Sequence, residues 1–189
     1  NKVQKGDQQV NKVLSSCLLF NDQGVVVARY DKIHLFDVEV NGKAYNESAS
    51  IEPGKDVINF TLDSELNVKV GLSICYDVRF PELYRQLGEI DIITVPAAFT
   101  YETGQAHWHT LLASRAIENL CYVVGSAQWG EHYGNRKTYG HSMIVDPWGE
   151  IKDELPVGNG LVVSEIDLDH LAEIRSKFPA LSHRRINYD

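Results

Sequence analysis

The chain has 189 residues, of which 43% are hydrophobic and 23% are charged, and its formal net charge is −8. This composition is typical of one globular domain, and because no block of lysine and arginine stands out, it predicts no nucleic-acid partner. The apolar runs are far shorter than the ~20 residues of a membrane-spanning helix, so we expect no membrane insertion.

The first predicted elements are the two strands of a β-hairpin. Residues 13–20 (VLSSCLLF) and 25–30 (VVVARY) are rich in β-branched and apolar side chains. They flank the sequence NDQG at 21–24, which is a typical turn. Residues 33–67 are mixed in character and interrupted by glycine and proline, so we expect mostly loop with short strands.

The central part of the chain alternates apolar strands with helices. Residues 68–74 and 91–96 are apolar with little alternation, which predicts buried strands. Between them a short helix is expected from about Pro81 to Leu87, with proline in its first turn. A longer amphipathic helix is expected over 105–119, where apolar residues recur at helical spacing.

The C-terminal third contains further strands and a last helix. We predict a strand at 121–127, a hairpin formed by 141–146 and 150–155, a strand at 160–166 and a helix at 168–177. Buried strands that alternate with helices imply an α/β layered architecture in which helices cover the sheets.

Three widely spaced cysteines argue against a disulfide framework and for a reducing compartment, so we expect a cytoplasmic protein. Cys17 and Cys121 lie within apolar strand runs, where cysteine usually packs as a small hydrophobic residue. Cys75 differs from them. In GLSICYDVRFPE, residues 71–82, it ends an apolar run and precedes a polar and aromatic turn before Pro81.

A thiol at a sharp turn between a strand and a helix is a candidate nucleophile. The turn pushes the side chain out of the sheet, and the first N–H groups of the helix have no partners within it. These groups can bind the negative oxygen that forms when a nucleophile attacks a carbonyl, and they favour the thiolate. The turn alone leaves the alternative open that Cys75 is a buried structural residue.

Lys32 and Glu47 are candidates to complete such a site. Lys32, in YDKIHLFD, could be a surface residue that extends its ammonium group into water, or a fixed charge that stabilises an oxyanion and lowers a thiol pKa. Glu47, in YNES, could equally be a solvated carboxylate of a loop.

The histidines allow two further hypotheses. His34 or His141 could be the base of a Cys–His hydrolase, although seven histidines make a chance pairing easy. His107 and His109 are two positions apart in a predicted helix, so they face different ways, and His132 and His141 stand isolated in the sequence. We therefore predict no metal site.

Several ordered motifs together resemble the nitrilase superfamily of carbon–nitrogen hydrolases. They are YDKIHLFDVEV, GLSICYDVRFPELYRQL, TGQAHWHTLLASRAIENLCYVVGSAQ and YGHSMIVDPWGE. The likeness is nearest to the ω-amidase branch, and within it to deaminated glutathione amidases. It covers nearly the whole chain and includes HRRINYD at the C-terminus, which is similar to the tail of the family.

The resemblance implies a four-layer α-β-β-α sandwich with one domain over residues 1–189, here lacking its N-terminal strands and helices. It implies that two subunits form a homodimer, or part of a larger homo-oligomer, through a tail that reaches the partner. It further implies a Glu-Lys-Cys triad that hydrolyses a small linear amide through a thioester, with no metal and no organic cofactor. Cys75 falls on the nucleophile, Lys32 on the lysine, and Glu47 on a second glutamate that orients the lysine and the substrate.

The resemblance also implies which residues surround the substrate. Tyr76 and Arg79 would lie close to the thiol, and the backbone N–H of Tyr76 would join Lys32 in the oxyanion site. Residues 99–103 fall on the loop that lines the pocket, with candidate contacts at Phe99, Thr100 and Thr103. The substrates implied are small acids with a terminal carboxamide, such as deaminated glutathione or an α-keto acid amide. Arg136 or Lys137, on a predicted glycine-rich loop, could bind the carboxylate or could be solvated.

One departure from the family pattern concerns the general base. The first glutamate of the family lies upstream of these motifs, and residues 1–31 contain no glutamate. The chain begins at Asn1 and not at methionine, so we expect a fragment of a longer enzyme more than a naturally truncated form. A second hypothesis, from a different class of function, is that the protein has the same fold but is catalytically inactive and acts as a binding or scaffold module.

Overall fold

The computed structural model describes residues 11–62 and 65–186. The strands, in chain order, are β1 (Ser16–Phe20), β2 (Val26–Asp31), β3 (Asp37–Val40), β4 (Lys43–Asn46), β5 (Asn59–Thr61), β6 (Lys69–Leu72), β7 (Ile92–Ala97), β8 (Tyr122–Ala127), β9 (Trp129–His132), β10 (Arg136–Tyr139), β11 (Ser142–Val145) and β12 (Ile151–Leu155). The helices are α1 (Pro81–Gln86), α2 (Tyr101–Asn119) and α3 (Leu168–Lys177).

A six-stranded mixed sheet organises the chain, with the strand order β12-β11-β8-β7-β6-β5. The three middle strands, β6, β7 and β8, are parallel, because α1 and α2 connect them as crossovers. The outer strands are antiparallel to their neighbours. The carboxyl ends of the three parallel strands therefore meet at one edge of the sheet, where ligands bind in open α/β sheets.

One face of this sheet packs against α1 and α2. Trp108 and Leu112 of α2 share a buried apolar core with Ile93, Val95 and Val123 of the sheet. The helix approaches so closely at Gly125 that a Cβ atom there would lie 2.6 Å from Cδ1 of Leu112. Glycine is the residue that permits this approach.

The opposite face of the sheet packs against the β1–β2 hairpin. Tyr30 of this hairpin is fully buried against Val70 and Leu72 of β6, and Cys17 and Ala28 pack around them. The outer side of the hairpin carries exposed apolar side chains, at Leu18, Phe20 and Val26. The described residues thus supply a helix layer, a large sheet and a two-stranded part of a second sheet, which is the predicted layered α/β architecture.

Most predicted elements are confirmed, but one strand is wrong and one hairpin was missed. Residues 160–166 form no strand, because Leu161 and Val163 remain 88% and 72% exposed and Val163 N–H bonds the Asp153 side chain instead of a ladder. Conversely, the predicted glycine-rich loop that carries Arg136 forms the β9–β10 hairpin. Its turn contains Asn135, whose left-handed conformation suits asparagine.

Within the described residues, no helix combines the length and the apolar character that crossing a bilayer requires. In the structure the three cysteines, Cys17, Cys75 and Cys121, are free thiols. Of the predicted dimerisation tail, residues 187–189 lie outside the described residues.

Candidate active site

A pocket of about 600 Å³ lies beyond the carboxyl ends of the three parallel strands. Its walls come from the segments that follow β6 and β7 and from the end of β8. The segment between β2 and β3 and the start of the turn after β4 complete it. The three residues predicted to be catalytic all line this pocket, namely Lys32, Glu47 and Cys75.

Cys75 is held in a strained conformation at the start of a turn. It is the first residue of a 3₁₀ turn, Cys75–Arg79, and its φ of +51° is in the left-handed region that residues with a Cβ rarely adopt. Strain of this kind is often found at functional sites. The predicted helix is not directly next to the thiol, since this turn separates β6 from α1 at Pro81.

The surroundings of the thiol affect its ionisation in opposite directions. Burial raises the pKa of Cys75, while a backbone hydrogen bond from Ala98 and the nearby charge of Lys32 lower it in part. The net pKa of the Cys75 thiol is raised. The backbone N–H of Tyr76, next in the chain, makes no hydrogen bond to another of the described residues. Tyr76 itself is one of the residues that line the pocket.

Lys32 and Glu47 form a buried ion pair. Lys32 is only 3% exposed, so the interpretation as a surface lysine is wrong, and its Nζ donates to Oε2 of Glu47. The same carboxylate oxygen accepts the backbone N–H of Phe36 at 2.6 Å. The backbone of Lys32 is fixed as well, through Ser15 at 2.9 Å and Gly54 at 2.8 Å. The ammonium group is thus held at the pocket wall by a partly buried carboxylate.

Asp77 is a buried residue that the sequence analysis missed. Its two carboxylate oxygens accept hydrogen bonds from Tyr30 Oη at 2.7 Å, Ile74 N at 2.9 Å and His34 N at 3.0 Å, and from His34 Nδ1 at 2.8 Å. Burial and the neighbouring Asp77 carboxylate raise the pKa of Tyr30. Asp77 therefore ties the segment that carries Lys32 to the turn that carries Cys75. Its burial had no signal in the sequence beyond its place in the motif.

The predicted substrate contacts divide into two groups. Tyr76, Phe99, Thr100 and Thr103 line the pocket, and the two threonine hydroxyls are hydrogen-bonded at 2.7 Å. Arg79 is not among the lining residues. Its guanidinium lies over the rings of Phe99 and Tyr76, at 5.4 Å and 5.7 Å from their centroids, and both of these rings line the pocket.

The two candidate anion-binding residues also separate. Arg136 lines the pocket, and its Nη2 lies 3.3 Å from the carbonyl oxygen of Ala98. Lys137 lies on the other side of the same strand, where its exposed ammonium pairs with Glu131 at 2.6 Å. Arg136 is thus the residue of the two that can meet a carboxylate in the pocket.

Neither histidine proposed as a base lines the pocket. His34 is bonded to Asp77, and its ring stacks on Phe80 at 3.7 Å. His141 is not isolated as expected, because its Nδ1 shares Oε1 of Glu154 with Nε2 of His109. The geometry therefore gives no Cys–His pair within the described residues.

Comparison with known proteins gives one consistent family. Residues 3–176 match the family model described as carbon-nitrogen hydrolase. The chain is 44% identical to a Dictyostelium discoideum protein named deaminated glutathione amidase, covering 96% of the chain and 63% of that protein. It is 47% identical to a Synechocystis protein of the same name, covering 93% of the chain and 65% of that protein. The chain thus spans somewhat less than two thirds of the length of these relatives.

Solved structures agree with this family. The Caenorhabditis elegans NitFhit protein superposes with a TM-score of 0.82 at 43% identity, covering 92% of the chain and 42% of that protein. Saccharomyces cerevisiae Nit3, described as a member of branch 10 of the nitrilase superfamily, gives 0.77 at 32% identity, covering 93% of the chain and 61% of that protein. The predicted fold class is therefore confirmed.

Proposed function

The chain belongs to the carbon–nitrogen hydrolase family, and from this membership we propose that the protein hydrolyses a small linear amide and releases its nitrogen as ammonia or as a free amine. The observation that carries the proposal is the pocket in which the Cys75 thiol and the Lys32–Glu47 ion pair face the same space. A thiol and a fixed ammonium group on one small pocket are what attack on an amide carbonyl requires.

In the proposed reaction the Cys75 sulfur is the nucleophile. It loses its proton and adds to the amide carbon, and the negative oxygen that forms is held by the Lys32 ammonium and the Tyr76 N–H. The carbon–nitrogen bond then breaks, and the nitrogen takes up a proton and leaves, as ammonia from a primary amide or as a free amine from a secondary amide such as deaminated glutathione. The acyl group remains on sulfur as a thioester. Water attacks the thioester, which releases the carboxylic acid and restores the thiol.

The proton of Cys75 needs an acceptor. Glu47 is already engaged by Lys32 and by the Phe36 N–H. We therefore assign the transfer to the upstream glutamate that the resemblance to the nitrilase superfamily implies. In this proposal it takes the thiol proton and delivers it to the leaving nitrogen, and Glu47 keeps Lys32 charged and oriented.

The proposed substrate carries a carboxylate in addition to the amide that reacts. Arg136 at the pocket wall can bind that carboxylate through its guanidinium, which prefers planar anions. The name shared by the relatives, deaminated glutathione amidase, points to deaminated glutathione or a similar α-keto acid amide. A pocket of about 600 Å³ lies within the usual range for small-molecule sites.

Product release from a panel of compounds tests this function. The protein, as its own gene encodes it, is incubated with deaminated glutathione, α-ketoglutaramate, simple nitriles and N-carbamoyl compounds; free cysteinylglycine is measured for deaminated glutathione and ammonia for the other compounds. We expect turnover of the α-keto acid amides above the other classes and none in Cys75→Ala. Turnover of no amide would favour the inactive binding module, and amide turnover that persists in Cys75→Ala would exclude the assigned nucleophile.

We also propose that the protein works as a homodimer in the cytoplasm. The rings of Trp148 and Phe178 are in contact, with centroids 6.0 Å apart, yet they remain 58% and 51% exposed. Four residues separate Phe178 from residues 183–186, the described part of the segment HRRINYD that resembles the tail of the family. A second copy would bury this Trp148–Phe178 patch.

A further inference from the structure

Three potential metal ligands meet on the protein surface outside the pocket. They are His109 on α2, His141 between β10 and β11, and Glu154 on β12. Each offers one ligand atom, and these three atoms lie within 4.8 Å of one another. None of the three residues lines the pocket that contains Cys75.

The fold holds the His141 ring in place from several sides. Its backbone is in the left-handed region, with φ of +60°, and its N–H bonds the carbonyl of Pro156 at 3.0 Å. Its carbonyl accepts the indole N–H of Trp108 at 2.8 Å. Its ring stacks on Tyr139 at 4.0 Å. The position of this imidazole is therefore set by packing and does not depend on Glu154 alone.

The other two ligands converge on His141 from different elements. The imidazole rings of His109 and His141 lie next to each other, with their centroids 5.0 Å apart. Strand pairing of β11 with β12 sets Met143 opposite Glu154, which brings the carboxylate to the His141 end of the sheet. One ring nitrogen of each imidazole therefore lies within hydrogen-bonding distance of the same oxygen of Glu154.

We propose that His109, His141 and Glu154 form a binding site for a divalent transition-metal ion of the zinc class. Two imidazoles and one carboxylate are a frequent zinc ligand set, whereas magnesium and calcium prefer oxygen ligands. Nε2 of His109 lies 2.9 Å from Oε1 of Glu154. Ligand atoms about 2.0–2.1 Å from zinc in a tetrahedron are roughly 3.3–3.5 Å apart. The His109–Glu154 pair must therefore move apart by about 0.5 Å, and any wider pair, at 4.8 Å or less, must close by about 1.5 Å at most.

The proposed ion replaces the two hydrogen bonds that converge on Glu154. His109 binds through Nε2 and His141 through Nδ1. The proton on each of these nitrogens moves through solvent to the other nitrogen of its ring, or is lost to water where the ring was doubly protonated, so that each ligand is a neutral imidazole. The three side chains keep partial exposure, at 36%, 21% and 24%. Water can therefore complete the tetrahedral coordination from the solvent side.

Zinc titration of the untagged protein, stripped of metal with a chelator, tests the site by calorimetry and by metal analysis. We expect one zinc ion per chain. His109→Gln keeps a donor for Glu154 but offers no imidazole, so it should weaken zinc binding at least about tenfold, as should Glu154→Gln. His170→Ala, which removes an exposed histidine of α3, is the matched control and should bind zinc unchanged.

The same titration in Cys75→Ala distinguishes this site from zinc bound at the active-site thiol. Retained stoichiometry in Cys75→Ala supports the proposal. Absence of zinc binding to the folded wild-type protein would overturn it and leave a hydrogen-bonded cluster only. Binding that survives both His109→Gln and Glu154→Gln, or that is lost in Cys75→Ala, would equally overturn it. Thermal unfolding in the presence of chelator checks that each variant is folded.

Discussion

At the scale of single residues, the Lys32–Glu47 ion pair is the feature on which the proposed chemistry depends most. Lys32 is almost fully buried, and its partner also binds the Phe36 N–H. The sequence could nominate Lys32 and Glu47 only through the family resemblance. Composition and periodicity do not reveal that Lys32 is buried, nor that it pairs with Glu47, which lies 15 positions away in the chain.

The first prediction concerns Lys32→Met in the protein as its gene encodes it. The substitution removes the fixed charge at the proposed oxyanion, so kcat/KM should fall by at least about 10²–10³. It also leaves Glu47 without its partner, so the free energy of unfolding should fall by roughly 1–3 kcal/mol. The double variant Lys32→Met/Glu47→Gln should regain stability but not activity, and activity restored in the double variant would contradict the role of the lysine.

The second prediction concerns the ionisation of Cys75. Burial raises the pKa of this thiol, so in this chain the reactive thiolate is a minor form at neutral pH. The rate of iodoacetamide alkylation, followed by mass spectrometry of the Cys75 peptide, should therefore still rise above about pH 8.5, where an ordinary thiol is half ionised. Lys32→Met removes a charge that lowers the pKa and should slow alkylation at any given pH. A rate that levels off below pH 8 would contradict this account.

At the scale of elements, the apolar runs were the reliable signal. Strands β6, β7 and β8 were predicted because both of their faces are covered, which removes polar residues from the sequence. The same signal failed at 160–166, where apolar Leu161 and Val163 face solvent in the described structure. The β9–β10 hairpin was missed because it is short and polar, and its strands form a separate two-stranded sheet outside the apolar core strands.

The third prediction concerns the connection between two segments through Asp77. Asp77→Asn replaces one accepting oxygen by an NH₂ group and leaves buried donors unpaired, so the free energy of unfolding should fall by roughly 2–4 kcal/mol. Tyr30→Phe removes one of the same hydrogen bonds and should cost only about 1 kcal/mol. Chemical denaturation measures both. Equal stability of Asp77→Asn and wild type would show that this carboxylate does not hold the segments together.

At the scale of the whole molecule, the layered architecture followed from the alternation of strands and helices. The convergence of residues distant in the chain did not follow from it. His109, His141 and Glu154 illustrate this, since the sequence analysis judged His141 isolated, whereas the packing of α2 against the sheet brings all three together. Distances of this kind depend on crossover geometry and strand register, which periodicity does not determine.

The fourth prediction concerns the proposed homodimer. If a second copy buries the Trp148–Phe178 patch, Phe178→Glu places a charged carboxylate in the interface. Association would then have to remove this charge from water, so the variant should shift from dimer to monomer. Light scattering after size-exclusion chromatography gives the mass directly. Tyr133→Glu, at another fully exposed aromatic residue, is the control and should leave the mass unchanged. A wild-type protein that is monomeric at all concentrations would contradict the proposal.

The central claim is that Cys75 carries the acyl group during amide hydrolysis. It is tested most directly by mixing the protein with deaminated glutathione or α-ketoglutaramate, quenching in acid within the first turnovers, and weighing the Cys75 peptide by mass spectrometry. The account predicts that this peptide gains the mass of the acyl group, as a hydroxylamine-sensitive thioester, while Cys17 and Cys121 peptides stay unmodified. Release of the product amine or of ammonia at full rate while the Cys75 peptide never gains mass would contradict it.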